Sequence, residues 1–156
     1  MSEGLSLFDA DSYQRINEAR WAFASGVIDD LRTAGISLET ANDCGAGPGW
    51  FAERLAAQGL DVVALEGRAD VAEAGQARAP AARFEVFDFD AAALDAVPPA
   101  RDLCFSFGIL YHLESPLRAL RMMGALSGKV MLMETMTAPF DESIGRVVRE
   151  NANATQ

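Results

Sequence analysis

Apolar residues recur along this chain with two periods. Over residues 12–34, Ile16, Ala19, Phe23, Val27 and Leu31 fall three or four apart, the spacing that gathers side chains on one face of a helix. Asp11 with Gln14 three residues on reads as a capping box, and Gly35 stands just past the end. Short apolar runs then alternate with helical segments. Strands are predicted at 39–44, 61–66, 83–89, 102–109 and 129–136. Helices are predicted at 49–58, 69–77, 91–96 and from Pro116 to Leu126. The helix before Gly59 stops at that glycine, the next stops before Pro80, and the weak segment 91–96 stops before Pro98-Pro99. Ser115 caps the helix that Pro116 opens, Gly128 ends it, and a last helix begins after Asp141.

Strands separated by helices predict an α/β fold, a doubly wound and mostly parallel sheet with helices on both faces. Right-handed crossovers put a switch point next to strand one, where ligands bind outside the carboxyl ends of the strands. No internal repeat or linker interrupts the pattern, so residues 1–156 read as a single domain.

Composition narrows the class. Half of the 156 residues are hydrophobic, which excludes a disordered chain. No run approaches the roughly 18 apolar residues of a membrane span. The start, Met-Ser-Glu-Gly, has no signal-peptide pattern, so a cytoplasmic location is expected. The net charge of −10, with Lys129 the only lysine, disfavours a nucleic-acid partner, since phosphate contacts need clustered cations. Cys44 and Cys104 read as small buried thiols, and with one histidine no metal-ligand spacing is present.

The chemistry concentrates at residues 41–49, Ala-Asn-Asp-Cys-Gly-Ala-Gly-Pro-Gly, and at Glu66, nineteen residues after Gly47. Glycines let a loop turn tightly and let a ligand approach. A carboxylate at this distance is placed to accept hydrogen bonds from a ribose. The dinucleotide fingerprint needs a third glycine where this chain has Trp50, whose indole would obstruct close helix packing.

The pattern present, D-x-G-x-G-x-G, resembles the first motif of the class I S-adenosylmethionine-dependent methyltransferases. The string Gly108-Ile109-Leu110-Tyr111-His112-Leu113, followed by Ser115-Pro116-Leu117, resembles their fourth-strand region. The nearest such family includes enzymes of small metabolites and the carboxymethyl-transferring enzymes of tRNA wobble uridine. The likeness covers residues 40–136. It implies a Rossmann-like methyltransferase fold through strand five, S-adenosyl-L-methionine as cofactor, and SN2 attack on its methyl group by a small-molecule acceptor.

Residue by residue, the resemblance implies that Asp43, Gly45, Ala46, Gly47, Glu66 and Gly67 hold the methionine and ribose. Asp88 and Phe89 hold the adenine, with Asp90 the fallback, and Phe107 is a further cofactor-binding residue. His112 and Tyr111 are the candidate catalytic residues. His112 suits proton transfer, but a general base supplies only about 10²–10⁴-fold, whereas holding donor and acceptor in line can supply roughly 7–11 kcal/mol. A loop anchor is the competing role for His112, and core packing for Tyr111. Tyr13, Arg20 and Trp21 are placed to cover the pocket, although packing against the sheet is the simpler reading of Trp21. The resemblance also implies two strands after strand five that the sequence to Gln156 does not show. Strand five is therefore expected as an open edge, suited to homo-oligomer pairing. A nicotinamide-dependent oxidoreductase and a non-catalytic cofactor-binding subunit are the alternative readings.

Overall fold

The computed structural model describes residues 10–137. The helix expected after Asp141 lies outside them. The elements are α1 (Ala10–Thr33), β1 (Thr40–Cys44), α2 (Trp50–Ala57), β2 (Asp61–Glu66), α3 (Ala69–Arg78), β3 (Arg83–Val86), β4 (Arg101–Phe107), α4 (Pro116–Leu126) and β5 (Ser127–Glu134). A single 3-10 turn, Leu110–His112, joins β4 to α4.

The five strands form one sheet in the order β3-β2-β1-β4-β5, every pair parallel. The order reverses between β1 and β4, which opens a crevice at their carboxyl ends. One face is covered by Ala24 and Ile28 of α1, Trp50, Phe51 and Leu55 of α2, and Ala79 and Ala82 beside α3. The other is covered by Ala119, Met122, Met123 and Leu126 of α4, with Phe89. β1 and β2 are buried almost throughout, as expected of parallel strands enclosed on both faces. Between β1 and β4 the Cys44 and Cys104 sulfurs lie 3.6 Å apart as fully buried free thiols. The hydrogen bond between the two thiols, with burial, pushes the Cys44 thiol well up from its ordinary range.

Several boundaries move, each for a tertiary reason. α1 has the expected period but a different phase. Phe23 is 69% exposed and Ile16 40%, while Asn17, Ala24 and Ile28 are buried and Trp21 packs on the core. The helix turns Arg20 inward to its partner Glu134 at the end of the sheet, and Asn17, which accepts from Arg20, turns inward with it. Asp11 lies within α1 rather than before it, and Gln14 donates to Glu18 instead of closing a capping box.

β3 ends at Val86, opposite the last residue of β2, and not at residue 89. Beyond it, Asp88 draws the backbone into a turn. No helix forms over 91–96; only the isolated turn bonds Ala92 N–H to Asp88 C=O and Ala96 N–H to Ala93 C=O are made. β4 stops at Phe107 because Gly108, at φ +82°, leaves the extended region. β5 begins at Ser127, directly after α4. Gly128 is a strand residue, needed because a Cβ there would come within 2.9 Å of the Arg101 carbonyl oxygen.

Candidate functional site

The loop from β1 into α2 forms one rim of the crevice. Its N–H groups at Gly45 and Ala46 both donate to the Leu65 carbonyl, tying the loop to β2. Gly45, Gly47 and Gly49 have φ of +72°, +52° and +83°, values that an L side chain resists. Their surroundings differ. A Cβ on Gly45 would lie 2.5 Å from the Ile109 side chain, and one on Gly49 would lie 3.0 Å from Phe84. Both serve close packing. A Cβ on Gly47 would meet nothing within 4 Å, so this glycine borders open space.

Glu66, at the end of β2, is buried. Its carboxylate accepts from the Gly47 N–H at 2.9 Å, and from the Arg68 backbone N–H at 3.1 Å and side-chain Nε at 3.2 Å. A carboxylate has about four acceptor positions, so about one remains for a ligand hydroxyl. Asp43, at the end of β1, is buried, with Oδ2 lacking any partner. Burial, reinforced by the Glu66 charge, pushes its carboxyl up to about 7, against a bond from the Ala52 N–H. A buried carboxyl held this way favours a cationic or hydrogen-bond-donating partner.

Asp88 stands beside Gly67, whose missing Cβ would lie 3.6 Å from the Asp88 Cα. Asp88 is exposed, and its Oδ1 accepts from the Asp90 and Ala91 N–H groups. Phe89 next to it is a core residue, edge-on to Phe87 at 5.0 Å. Phe107 is likewise in the core, stacked on Phe105 at 4.2 Å, so a ligand could meet only its backbone. Ala46 is buried in the loop. Trp50 is buried against Phe51, with the Arg54 guanidinium over its face, and fills the space that a dinucleotide-type glycine would leave.

Side chains from three separate elements build the other rim. Arg20 of α1 reaches Glu134 at the end of β5, with an ion pair of 2.9 Å, and donates to Asn17 at 3.4 Å. The Tyr111 hydroxyl also bonds to Arg20, which together with Glu134 raises the guanidinium pKa against its burial. Gly108 lies beneath this group; a Cβ there would meet the Tyr111 hydroxyl at 3.2 Å and Arg20 Nη1 at 3.5 Å. Asn17 is buried with Nδ2 unpartnered. His112 is exposed, its ring centroid 4.4 Å from that of Tyr111.

The two rims meet where Ile109 fills the space over Gly45. The sequence matches the family described as "Methyltransferase domain" over residues 42–126, a span from β1 to the end of α4. The chain belongs to this methyltransferase family. No curated protein matches the sequence. Among solved structures, a TehB-like SAM-dependent methyltransferase from Corynebacterium glutamicum is similar at 20% identity and TM-score 0.57, over 79% of this chain and 72% of that one. A methyltransferase in complex with the Trm112 activator of Haloferax volcanii is similar at 21% and TM-score 0.58, over 85% of this chain and 60% of that one. The plantazolicin methyltransferase BpumL, solved with SAH, is similar at 17% and TM-score 0.56, over 66% and 41%. At these identities the likenesses establish the fold.

The chain thus carries a methyltransferase domain on the fold of the S-adenosylmethionine-dependent enzymes it resembles. Its fold brings Asp43, Gly45, Gly47, Glu66, Gly67 and Asp88 to one side of the crevice, and Tyr111 and His112 to the other. Glu134 and Asn17 escaped the sequence reading. Glu134 gave a signal, a carboxylate closing the apolar run Val130–Met133. Asn17 gave a weaker one, a polar residue one step from the expected apolar stripe.

Proposed function

We propose that the methyl acceptor is a small protic molecule, seated between the Gly47–Glu66 rim and the Arg20–Tyr111–Glu134 rim. The observation that carries this reading is the open space at Gly47 beside the Glu66 carboxylate, with the unpartnered, buried Asp43 oxygen as its complement. These residues fit a ligand with two ribose hydroxyls and an ammonium group. In this reading Glu66 accepts from the ribose, Asp43 faces the ammonium, Asp88 takes the adenine amino group, and Arg20 faces the α-carboxylate. The bound cofactor supplies an electrophilic sulfonium methyl.

The chain's own residues then orient the acceptor and receive its proton. Tyr111, held by Arg20, walls the acceptor side, and His112 beside it is the candidate proton acceptor. Support for a small rather than a polyanionic acceptor comes from the net charge of −10. A cytoplasmic setting agrees with the two free thiols; among the described residues no helix is long and apolar enough to cross a membrane. β5 is the outer strand of the described sheet and the place where a second copy would pair; sedimentation at several concentrations tests that pairing. Titration calorimetry with S-adenosylhomocysteine, its 5′-methylthioadenosine fragment and NAD tests the cofactor assignment, and tighter binding of NAD would overturn it.

A further inference from the structure

The N-terminus of α4 breaks two local rules at once. Ser115 occupies the N-cap position but makes no side-chain capping bond, although serine is favoured there for that bond. Arg118 stands in the first turn, where the helix dipole disfavours a cation. Both residues are tied to the segment that follows β3, more than twenty residues earlier.

Asp90 holds the chain on its way into the helix, at the N-cap backbone and the residue before it. Its carboxylate takes the Glu114 N–H at 2.9 Å and the Ser115 N–H at 3.2 Å. Arg118 reaches back the other way. One Nη donates to the carbonyls of Phe89 at 2.8 Å and Asp90 at 3.0 Å, and the other donates to the carbonyl of Ala92. A guanidinium has five donors in a fixed fork, so a single side chain fixes three backbone positions of one turn. Those positions directly follow Asp88. The same turn is closed by Asp88 itself, through Oδ1 to the Asp90 and Ala91 N–H groups.

Helix formation would satisfy these carbonyls with N–H groups four residues on. Here Arg118 takes the place of those donors, which is why 91–96 stays a turn. Departures from local preference that a tertiary contact compensates gather at functional sites. Asp88 is exposed and lies on a short turn with no strand partner. Without an outside brace its carboxylate would sample many positions, and a misplacement of about 1 Å at a binding group is costly.

We infer that Arg118 is a positioning residue for purine recognition: with Asp90 it clamps the 88–92 turn to α4 so that Asp88 reads the exocyclic amino group of the cofactor's adenine. Arg118 acts through Asp88 and does not touch the ligand. The inference rests on the proposed placement of the adenosyl group, and extends it by assigning base selectivity to a residue thirty positions along the chain. The clamp also ties the chain just after His112 to the base-reading turn, through the Glu114 and Ser115 N–H groups.

The test compares S-adenosylhomocysteine with S-inosylhomocysteine, which carries an oxygen in place of the 6-amino group. Binding of both is measured by calorimetry to wild type, Asp88→Asn, Arg118→Leu and Arg118→Lys. Wild type should prefer the adenosyl ligand by roughly tenfold or more, the range of one hydrogen bond to a charged group. Asp88→Asn and Arg118→Leu should both bring that ratio near one. Arg118→Lys, with the charge but not the fork, should fall between, and it carries the same test if Arg118→Leu does not fold. A brace that merely stabilised the protein would weaken both ligands alike and leave the ratio at its wild-type value; that result overturns the inference. A ratio lost in Asp88→Asn but kept in both Arg118 variants overturns it while sparing Asp88. A wild type that binds both ligands equally, or binds neither, overturns the adenine placement and this inference with it.

Discussion

The two rims of the crevice are built in opposite ways. On the β1–β2 side, backbone does the holding: loop N–H groups meet the Leu65 carbonyl and the Glu66 carboxylate, and three glycines adopt positive φ. On the β4–β5 side, long side chains from α1, the 3-10 turn and β5 meet over Gly108. A backbone cradle is rigid and takes any ligand of the right shape at that point, which suits a fixed cofactor. A rim of side chains changes by substitution without disturbing the sheet, which suits an acceptor that differs from one relative to another.

The sharpest way to break the backbone rim is Gly47→Val. A β-branched residue at φ +52° is strained, and its methyls enter the open space. Affinity for S-adenosylhomocysteine should fall by more than roughly a hundredfold with the circular dichroism spectrum retained. Near-wild-type binding would mean that the loop does not meet the ligand.

Glu66→Ala comes next. Hydrogen bonds to a charged group are worth about 1.5–3 kcal/mol, so the loss should be on the order of ten- to a hundredfold, and equal for 5′-methylthioadenosine, which keeps the ribose. A folded variant with an unchanged dissociation constant would remove the ribose role.

Arg20→Met probes the side-chain rim, and here the two ligands should separate. S-adenosylhomocysteine should weaken by about tenfold, while 5′-methylthioadenosine, which lacks the amino-acid part, should not. Equal losses for both would reduce Arg20 to a prop for α1.

The smallest effect concerns stability. The Asp43 carboxyl is raised to about 7 in the fold from an unfolded value near 3.8. Between those values the folded state binds more protons than the unfolded one, so stability falls as pH rises through this window and levels off above about 7. Asp43→Asn removes that dependence. The variant should gain on wild type in thermal midpoint between pH 5 and pH 8, while binding the cofactor less well. A midpoint difference that stays constant across that range would show that Asp43 is not held protonated.

The backbone rim was legible in the sequence because its parts are local. The acid, three glycines and Glu66 span residues 43–66, and glycine spacing carries its own conformational meaning. The sheet was legible for a similar reason, since period and punctuation are local signals. Phase was harder. The exposed Ile16 and Phe23 carry the helical period as well as the buried Ala24 and Ile28 do, and only the polar end of the sheet decides which stripe turns inward. The pairs Arg20–Glu134 and Asp90–Ser115 join residues 114 and 25 positions apart. No local pattern announces either, though a serine cap followed by an arginine in the first turn is a visible misfit. The segment 91–96 failed for the same reason: the carbonyls of Phe89, Asp90 and Ala92, where such a helix would start, accept from Arg118.

The sulfur pair in the core gives the molecule a chemical stopwatch. Alkylation requires a solvent-reached thiolate, and Cys44 and Cys104 are sealed between neighbouring central strands. A small maleimide therefore labels the chain only while the sheet is open, and the labelling rate counts such excursions. Any compound that binds the closed sheet lengthens the interval between them by mass action. Affinities can thus be timed on the unmodified protein, before its methyl acceptor has been identified.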